Sequence, residues 1–337
     1  MSILMIGTRR SGSNLMRLML NQLPEIEAPQ PAHILQKFMP LLSSYGDLGE
    51  TSNFKLLIDD VCRLVELNPV PWEGVTLERD DIYKRCTQNS LVAVFASIYD
   101  VLAETRQASM WCCKSVENVY YLPEIHAYRP TAKYLYLYRD GRDVAVSFRK
   151  AIIGEKHFYH IAQEWAKAQR AALDMRRKLD ESQFFSISYE ALTSQSEKAL
   201  QDLCAFLNVP YHTDMLNFHQ SDAAKSTASS SSLWSNLSKP VMNQNSKKFL
   251  TQASAEDVKI FELVAGDVLD ELGYERTQTA TGESNSFQPE ELAQFEADNQ
   301  QLKAQAQATK SSEDQGGRIQ QDALLAMIKE RRSAAVH

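Results

Sequence analysis

Ile3-Leu4-Met5-Ile6-Gly7-Thr8-Arg9-Arg10-Ser11-Gly12-Ser13-Asn14-Leu15-Met16 stands at the head of the sequence and decides its fold. A short apolar run ends at Gly7. A loop closes on Gly12, and Leu15, Leu18 and Met19 then recur at helical spacing. That order reads as strand, loop, helix. Backbone N–H groups at such a helix start can hold a phosphate-like anion. The G-x-x-x-x-G spacing is that of a Walker A loop, but the Walker pattern continues with Lys and then Ser or Thr. Ser13 and Asn14 stand there instead, and the cations sit inside the loop, at Arg9 and Arg10. An ordinary ATP or GTP hydrolase is disfavoured.

Outward from this unit the pattern repeats. Met110 to Cys113 is an apolar run ending at Lys114, Tyr134 to Tyr138 ends at Arg139, and Phe184 to Ser188 ends at Tyr189. Residues 57–67, 90–106, 143–152, 161–179, 196–207 and 254–272 read as helices, and Ser226 to Ser232 as a polar loop. Strands separated by helices predict an α/β fold, a P-loop-like three-layer sandwich with a central parallel sheet flanked by helices. In such sheets ligands bind beyond the carboxyl ends of the strands. Here three of the four predicted ends present a cation, although the chain carries a net charge of −7. A focused anion site follows, and a surface built to coat nucleic acid does not.

The remaining composition bounds the rest. Hydrophobic residues make up 44%, enough for a substantial core. No run approaches the roughly 20 apolar residues of a membrane span, and the immediate strand leaves no room for a signal peptide, so a cytoplasmic location is expected. Cys62, Cys86, Cys112, Cys113 and Cys204 lack C-x-x-C spacing; neither a disulfide framework nor a zinc site reads from them. No other spacing calls for a metal. Residues 1–275 read as one domain. Residues 276–337, rich in Gln and Ala, read as a mostly disordered tail with two possible short helices, near Leu292–Ala306 and Ile319–Arg332, able to dock to a partner.

Two signatures in this order carry a family resemblance. Arg10-Ser11-Gly12-Ser13-Asn14-Leu15 resembles the 5′-phosphosulfate loop of sulfotransferases that use PAPS (3′-phosphoadenosine-5′-phosphosulfate). Tyr134-Leu-Tyr-Leu-Tyr-Arg139-Asp-Gly-Arg-Asp143-Val-Ala-Val-Ser147 is similar to the family's 3′-phosphate site, where an Arg ends a strand and a Ser follows eight residues later. Trp111 to Ser115 and Tyr189-Glu190-Ala191-Leu192 resemble two further family segments, closest to the bacterial and tyrosyl-protein or carbohydrate branches. The departures are Ser13-Asn14 for Thr-Thr, Gly141 for a Pro, and a missing Arg-Lys-Gly motif whose cation Lys239, Lys247 or Lys248 would replace.

The resemblance implies sulfuryl transfer from PAPS to an acceptor hydroxyl, with PAP (3′-phosphoadenosine 5′-phosphate) as product and no metal. The donor would be held by Arg9, Arg10, Ser11, Gly12, Ser13, Asn14, Arg139, Ser147, Tyr189, Lys239 and Lys248. Arg10 and Lys114 would stabilise the leaving oxygen. His33, read as lying in the first turn of a helix begun at Pro31, is the leading general base. Glu25 and Glu27 are alternatives, His157 and His160 could line the acceptor pocket, and Asp143 reads as a helix-terminal charge. Segment 36–106 is expected to cover the cleft. The acceptor stays open among small molecule, lipid, carbohydrate and peptide. A small-molecule kinase and a non-catalytic nucleotide-binding scaffold are the competing readings.

Overall fold

A computed structural model describes residues 1–229, 232–242, 245–284, 286–308 and 318–335. Five strands, β1 (Ser2–Gly7), β2 (Ile26–Glu27), β3 (Met110–Cys113), β4 (Lys133–Tyr138) and β5 (Phe184–Ser188), form one sheet in the order β2-β3-β1-β4-β5. Every pairing is parallel. Four of these strands are the ones read from the sequence. β2 is an addition: two residues among prolines are too short to show periodicity, and pairing with Met110 and Trp111 alone makes them a strand.

The sheet is covered on both faces, as an all-parallel sheet requires. Alternate residues supply the two layers. Leu4, Ile6, Trp111, Cys113, Tyr134 and Tyr136 face one core, and Ile3, Met5, Met110, Cys112, Leu135 and Leu137 the other. Each fully buried side chain of this kind contributes about 1.5–3 kcal/mol of transfer free energy, so the sheet anchors the whole domain.

The principal helices are α1 (Ser13–Leu20), α2 (Ile34–Phe38), α3 (Thr51–Glu66), α4 (Leu91–Thr105), α5 (Gly141–Lys150), α6 (Phe158–Arg176), α7 (Ser196–Leu207), α8 (Ala255–Glu271), α9 (Pro289–Ala308) and α10 (Ile319–Ala335). Ser90 caps α4 through Ala93 N–H, and Ser254 with Asp257 forms a capping box on α8. α3 and α4 belong to the first core, with α1 and α7 on the opposite face. α5, α6 and α8 share a third cluster around Trp165 and Phe261. There Gly141 explains one departure from the family pattern: a Cβ at this position would lie 2.4 Å from Phe261 Cζ, so neither Pro nor Ala fits.

Four sequence expectations need correction. Segment 36–106 is mostly core rather than a cover; only its start, at Gln36 and Lys37, and the turn at Asn68 to Val70 reach the cleft, because α4 is too apolar to leave exposed. Within Ser226 to Ser232, residues up to Ser229 continue a helix from Asp222, which buries Ala224 and bonds Thr227 to Arg17; residues 230 and 231 lie outside the described residues. His33 is the N-cap of α2, with φ 59°, not a first-turn residue. The two helices expected in the tail after residue 275 are present, and they are seated on the domain. Phe295 of α9 stacks on His157 at 4.7 Å, and Asn299 Oδ1 accepts from Lys156 and His157 N–H. Leu324 and Ile328 of α10 are buried in the first core. A few anchoring side chains thus overcome a composition that reads as solvated.

Candidate functional site

The carboxyl ends of β1, β3 and β4, and Tyr189 just beyond β5, open onto one cleft of about 1060 Å³. Parallel strands aim their ends the same way, which brings loops distant in sequence together. The β1–α1 loop supplies Arg9, Arg10, Gly12, Ser13 and Asn14 to its wall. Gly12 is the N-cap of α1 at φ 90°, and its bare Cα rests on the Tyr189 ring: a Cβ would stand 2.6 Å from Tyr189 Cδ2. No side-chain cap satisfies the helix start, so its first N–H groups remain available to an anion. Ser11 is fully buried and its hydroxyl pairs with Thr8 Oγ1 at 2.9 Å. It shapes the loop from behind, and its side chain does not line the cleft.

The β4 end builds the second half. Arg139 lies with its guanidinium 4.3 Å from the Tyr189 ring centre. Nη1 donates to Arg10 O at 3.0 Å and Nη2 to Asn245 O, while Nε is buried with no partner. Asp143 is 3.8 Å from Arg139, and its Oδ1 accepts from Phe249 N–H. Arg10 Nε donates to Ser147 Oγ at 2.9 Å. Burial, reinforced by Arg139, lowers the pKa of Arg10. The two guanidiniums repel each other, as cations gathered to meet an anion do.

The β3 end supplies Lys114, only 8% exposed. Burial pushes its pKa down to about 7, with Arg17, Arg9 and Arg318 adding repulsion against the pull of Glu117. His33 faces the same space. Burial and then Lys114, Arg318, Arg9 and Lys37 hold its imidazole well below the usual range, so it is neutral at pH 7. Its Nδ1 lies 4.0 Å from Glu117 Oε2, and both atoms are buried without a hydrogen bond. The other Glu117 oxygen pairs with Arg9. Arg10 and His33 both adopt left-handed backbone, at φ 67° and 59°. Strain of this kind in non-glycine residues concentrates where function requires it.

Of the sequence-predicted residues, Arg9, Arg10, Gly12, Ser13, Asn14, His33, Lys114, Arg139, Ser147, Tyr189, Lys239 and Lys248 all line the cleft. Lys247 is not among its lining residues. Glu27 belongs to a separate small cavity beside Arg17 and Arg106, and Glu25 lines neither. His157 caps α6 and stacks on Phe295, and His160 lies 3.3 Å from Glu296; α9 occupies both. The sequence reading missed Glu117, Asn245 and Arg318. An acid three residues beyond Lys114 was the one local signal, and nothing in the sequence placed 245 or 318 near the strand ends. Among the described residues no three His, Cys, Asp or Glu side chains are grouped to hold a metal ion, and no helix is long and apolar enough to cross a membrane.

A model of the sulfotransferase family matches residues 2–214. The chain belongs to the sulfotransferase family. Its similarity to protein-tyrosine sulfotransferase A of Caenorhabditis elegans is 24% identity over 222 residues, 64% of this chain and 51% of that protein. With protein-tyrosine sulfotransferase of Drosophila melanogaster it is 23% over 223 residues, 64% of this chain and 39% of that one. This sulfotransferase-family chain therefore spans about half or less of the length of these relatives. In fold it resembles the sulfotransferase domain from the curacin biosynthetic pathway, with TM-score 0.54 at 21% identity, covering 82% of this chain and 98% of that one. The sulfotransferase domain of the Synechococcus PCC 7002 olefin synthase aligns with TM-score 0.53 at 17% identity, over 78% and 93%.

Proposed function

We propose that the cleft binds PAPS and that the chain moves its sulfuryl group to the hydroxyl of an acceptor. The observation that supports this reading is the convergence of cationic groups from separate strand ends in one cleft: Arg139, which donates to Arg10 O, Arg10, which donates to Ser147 Oγ, and Lys114, with the uncapped α1 N-terminus. The residues fit such a donor. Arg139 Nε is a buried donor without an acceptor, and Lys114 is a desolvated cation whose charge an adjacent anion would restore. Arg139 and Ser147 would hold the 3′-phosphate. The loop N–H groups, Arg10 and Lys114 would hold the phosphosulfate, with Lys239 and Lys248 at the rim.

Bound there, PAPS supplies an activated sulfuryl group on a phosphate leaving group. The chain's own part is positioning and charge. Arg10 and Lys114 stabilise negative charge developing on the leaving oxygen, a contribution of about 3–4 kcal/mol for each such donor in comparable sites. His33, neutral at physiological pH, takes the proton of the acceptor hydroxyl as the new S–O bond forms. Glu117 faces Nδ1 and favours the proton there, which leaves Nε2 as the accepting nitrogen. As the ring becomes cationic, the carboxylate offsets the repulsion of Lys114 and Arg9. The acceptor is a hydroxyl compound entering from the His33 side.

Calorimetry with PAP and with ATP tests the donor assignment. PAP should bind the wild type far more tightly than ATP does. Arg139→Ala should weaken PAP by about 10–100-fold, the value of losing charge-assisted hydrogen bonds. ATP binding as tight as PAP, or PAP binding indifferent to Arg139, would overturn the reading and favour a kinase or scaffold.

A further inference from the structure

The C-terminal helix reaches the cleft. Leu324 and Ile328 seat α10 in the core beside α3, and Gln321 Nε2 donates to Leu64 O at 2.8 Å. At its far end Arg331 pairs with the fully buried Asp60, which also accepts from Tyr45 OH. So anchored, the helix brings Arg318 and Asp322 into the cleft wall. Arg318 donates to Gln321 Oε1 at 2.8 Å, and no carboxylate among the described residues forms an ion pair with it. Lys37 lies beside it, 4.0 Å from Asp322.

The charges around His33 do not balance. Among the described residues, Lys114, Arg318, Arg9 and Lys37 act on it, with Glu117 Oε2 4.0 Å from its Nδ1, while Asp322 offsets part of the charge of Lys37 and Arg318. Burial holds both Arg318 and Lys37 below their ordinary ranges, as expected of cations kept from water without full compensation. The donor sites proposed above use Arg10, Lys114, Arg139 and Ser147 and leave these two surplus. Their shared neighbour is the imidazole, where the acceptor hydroxyl must arrive. A desolvated cation pair beside a reacting hydroxyl costs stability unless a ligand anion compensates it.

We infer that Arg318, supported by Lys37, recognises an anionic group on the acceptor, a carboxylate, sulfate or phosphate borne near the reacting hydroxyl, so that α10 is a specificity element of the cleft. The inference rests on the donor reading. Arg318 contacts the acceptor anion and has no part in holding PAP. Because an Arg–anion hydrogen bond is charge-assisted, the preference for an anionic acceptor over its neutral isostere should be about tenfold or more.

The test uses the full chain saturated with PAP and two probes, 4-hydroxybenzoate and its neutral isostere 4-hydroxybenzamide, followed by calorimetry. The same pair is then compared as acceptors with PAPS, by kcat/KM. The wild type should prefer the benzoate about tenfold in both assays. With PAP saturating, Arg318→Gln should bring the ratio to about one, and Arg318→Lys should retain part of it. Arg331→Gln, which loosens the far anchor without touching the cleft, should leave the preference in place. No preference in the wild type, a preference that survives Arg318→Gln, or equal loss in Arg331→Gln would overturn the inference. Failure of the wild type to bind PAP at all would instead sink the donor reading, and this one with it.

Discussion

If Lys114 meets the donor anion as proposed, donor binding is tied to pH. In the ligand-free chain it is a buried ammonium with a pKa near 7, lowered first by burial and then by Arg17, Arg9 and Arg318. A bound phosphosulfate or PAP anion favours the charged form and lifts that pKa back toward the ordinary lysine range. At pH 8 only about one free molecule in ten carries the charge, so binding should take up about 0.9 proton; at pH 7 the uptake is about half a proton. The affinity for PAP should therefore fall about fivefold from pH 7 to 8 and about ninefold from pH 8 to 9, approaching about 1.4 kcal/mol per unit. The ligand's phosphates, with second ionisations near pH 6, are already charged in this window. Calorimetry between pH 7.5 and 9 in two buffers of different ionisation enthalpy reads both quantities. Lys114→Met should bind more weakly at pH 7 but with a flat pH profile and no proton uptake. Equal slopes in the two proteins, or no uptake by the wild type, would refute the assignment of Lys114 to the donor anion.

The same lysine should cost the free chain stability. The unfolded state binds its proton through pH 7–10 and the folded state does not, so stability rises with pH there; Lys114→Met should raise the melting temperature at pH 6.5, by about 2–4 °C per kcal/mol recovered, and raise it less at pH 9. His33→Asn should lower kcat by about 10²–10⁴-fold with PAP affinity unchanged. Because His33 titrates well below its usual range, the wild-type kcat profile should show no acid limb near pH 6.5, and such a limb would argue against it as the base. Gly12→Ala, forced into φ 90° and against Tyr189, should lose about 1–3 kcal/mol of stability and weaken PAP together, read by melting and calorimetry. Ile328→Ala, at a fully buried site, should cost about 2–5 kcal/mol in the seating of α10, seen as faster hydrogen exchange over 318–331; unchanged exchange would refute that seating.

The sheet and the cleft at its strand ends were legible for a physical reason. Buried parallel strands need continuous apolar runs, and their ends carry the ligand residues, so Gly7 to Asn14, Lys114 and Arg139 with Ser147 announce themselves locally. β2 and the seating of the tail did not follow, because each depends on partners far away: Met110 and Trp111 for one, His157, Leu64 and Asp60 for the other.

Local order and spacing therefore determined the α/β architecture, the phosphate-type loop and the resemblance to PAPS-dependent sulfotransferases. Only the tertiary structure decided which charges share a dielectric. It set Glu117 against His33, lowered Lys114 toward neutrality, excluded Glu25, Glu27, His157 and His160 from the cleft, and brought Arg318 across more than 280 residues of sequence to the imidazole. Chemistry that rests on burial and on long-range charge is written in no single segment, because desolvation and Coulomb interaction depend on distance in space and not on distance along the chain.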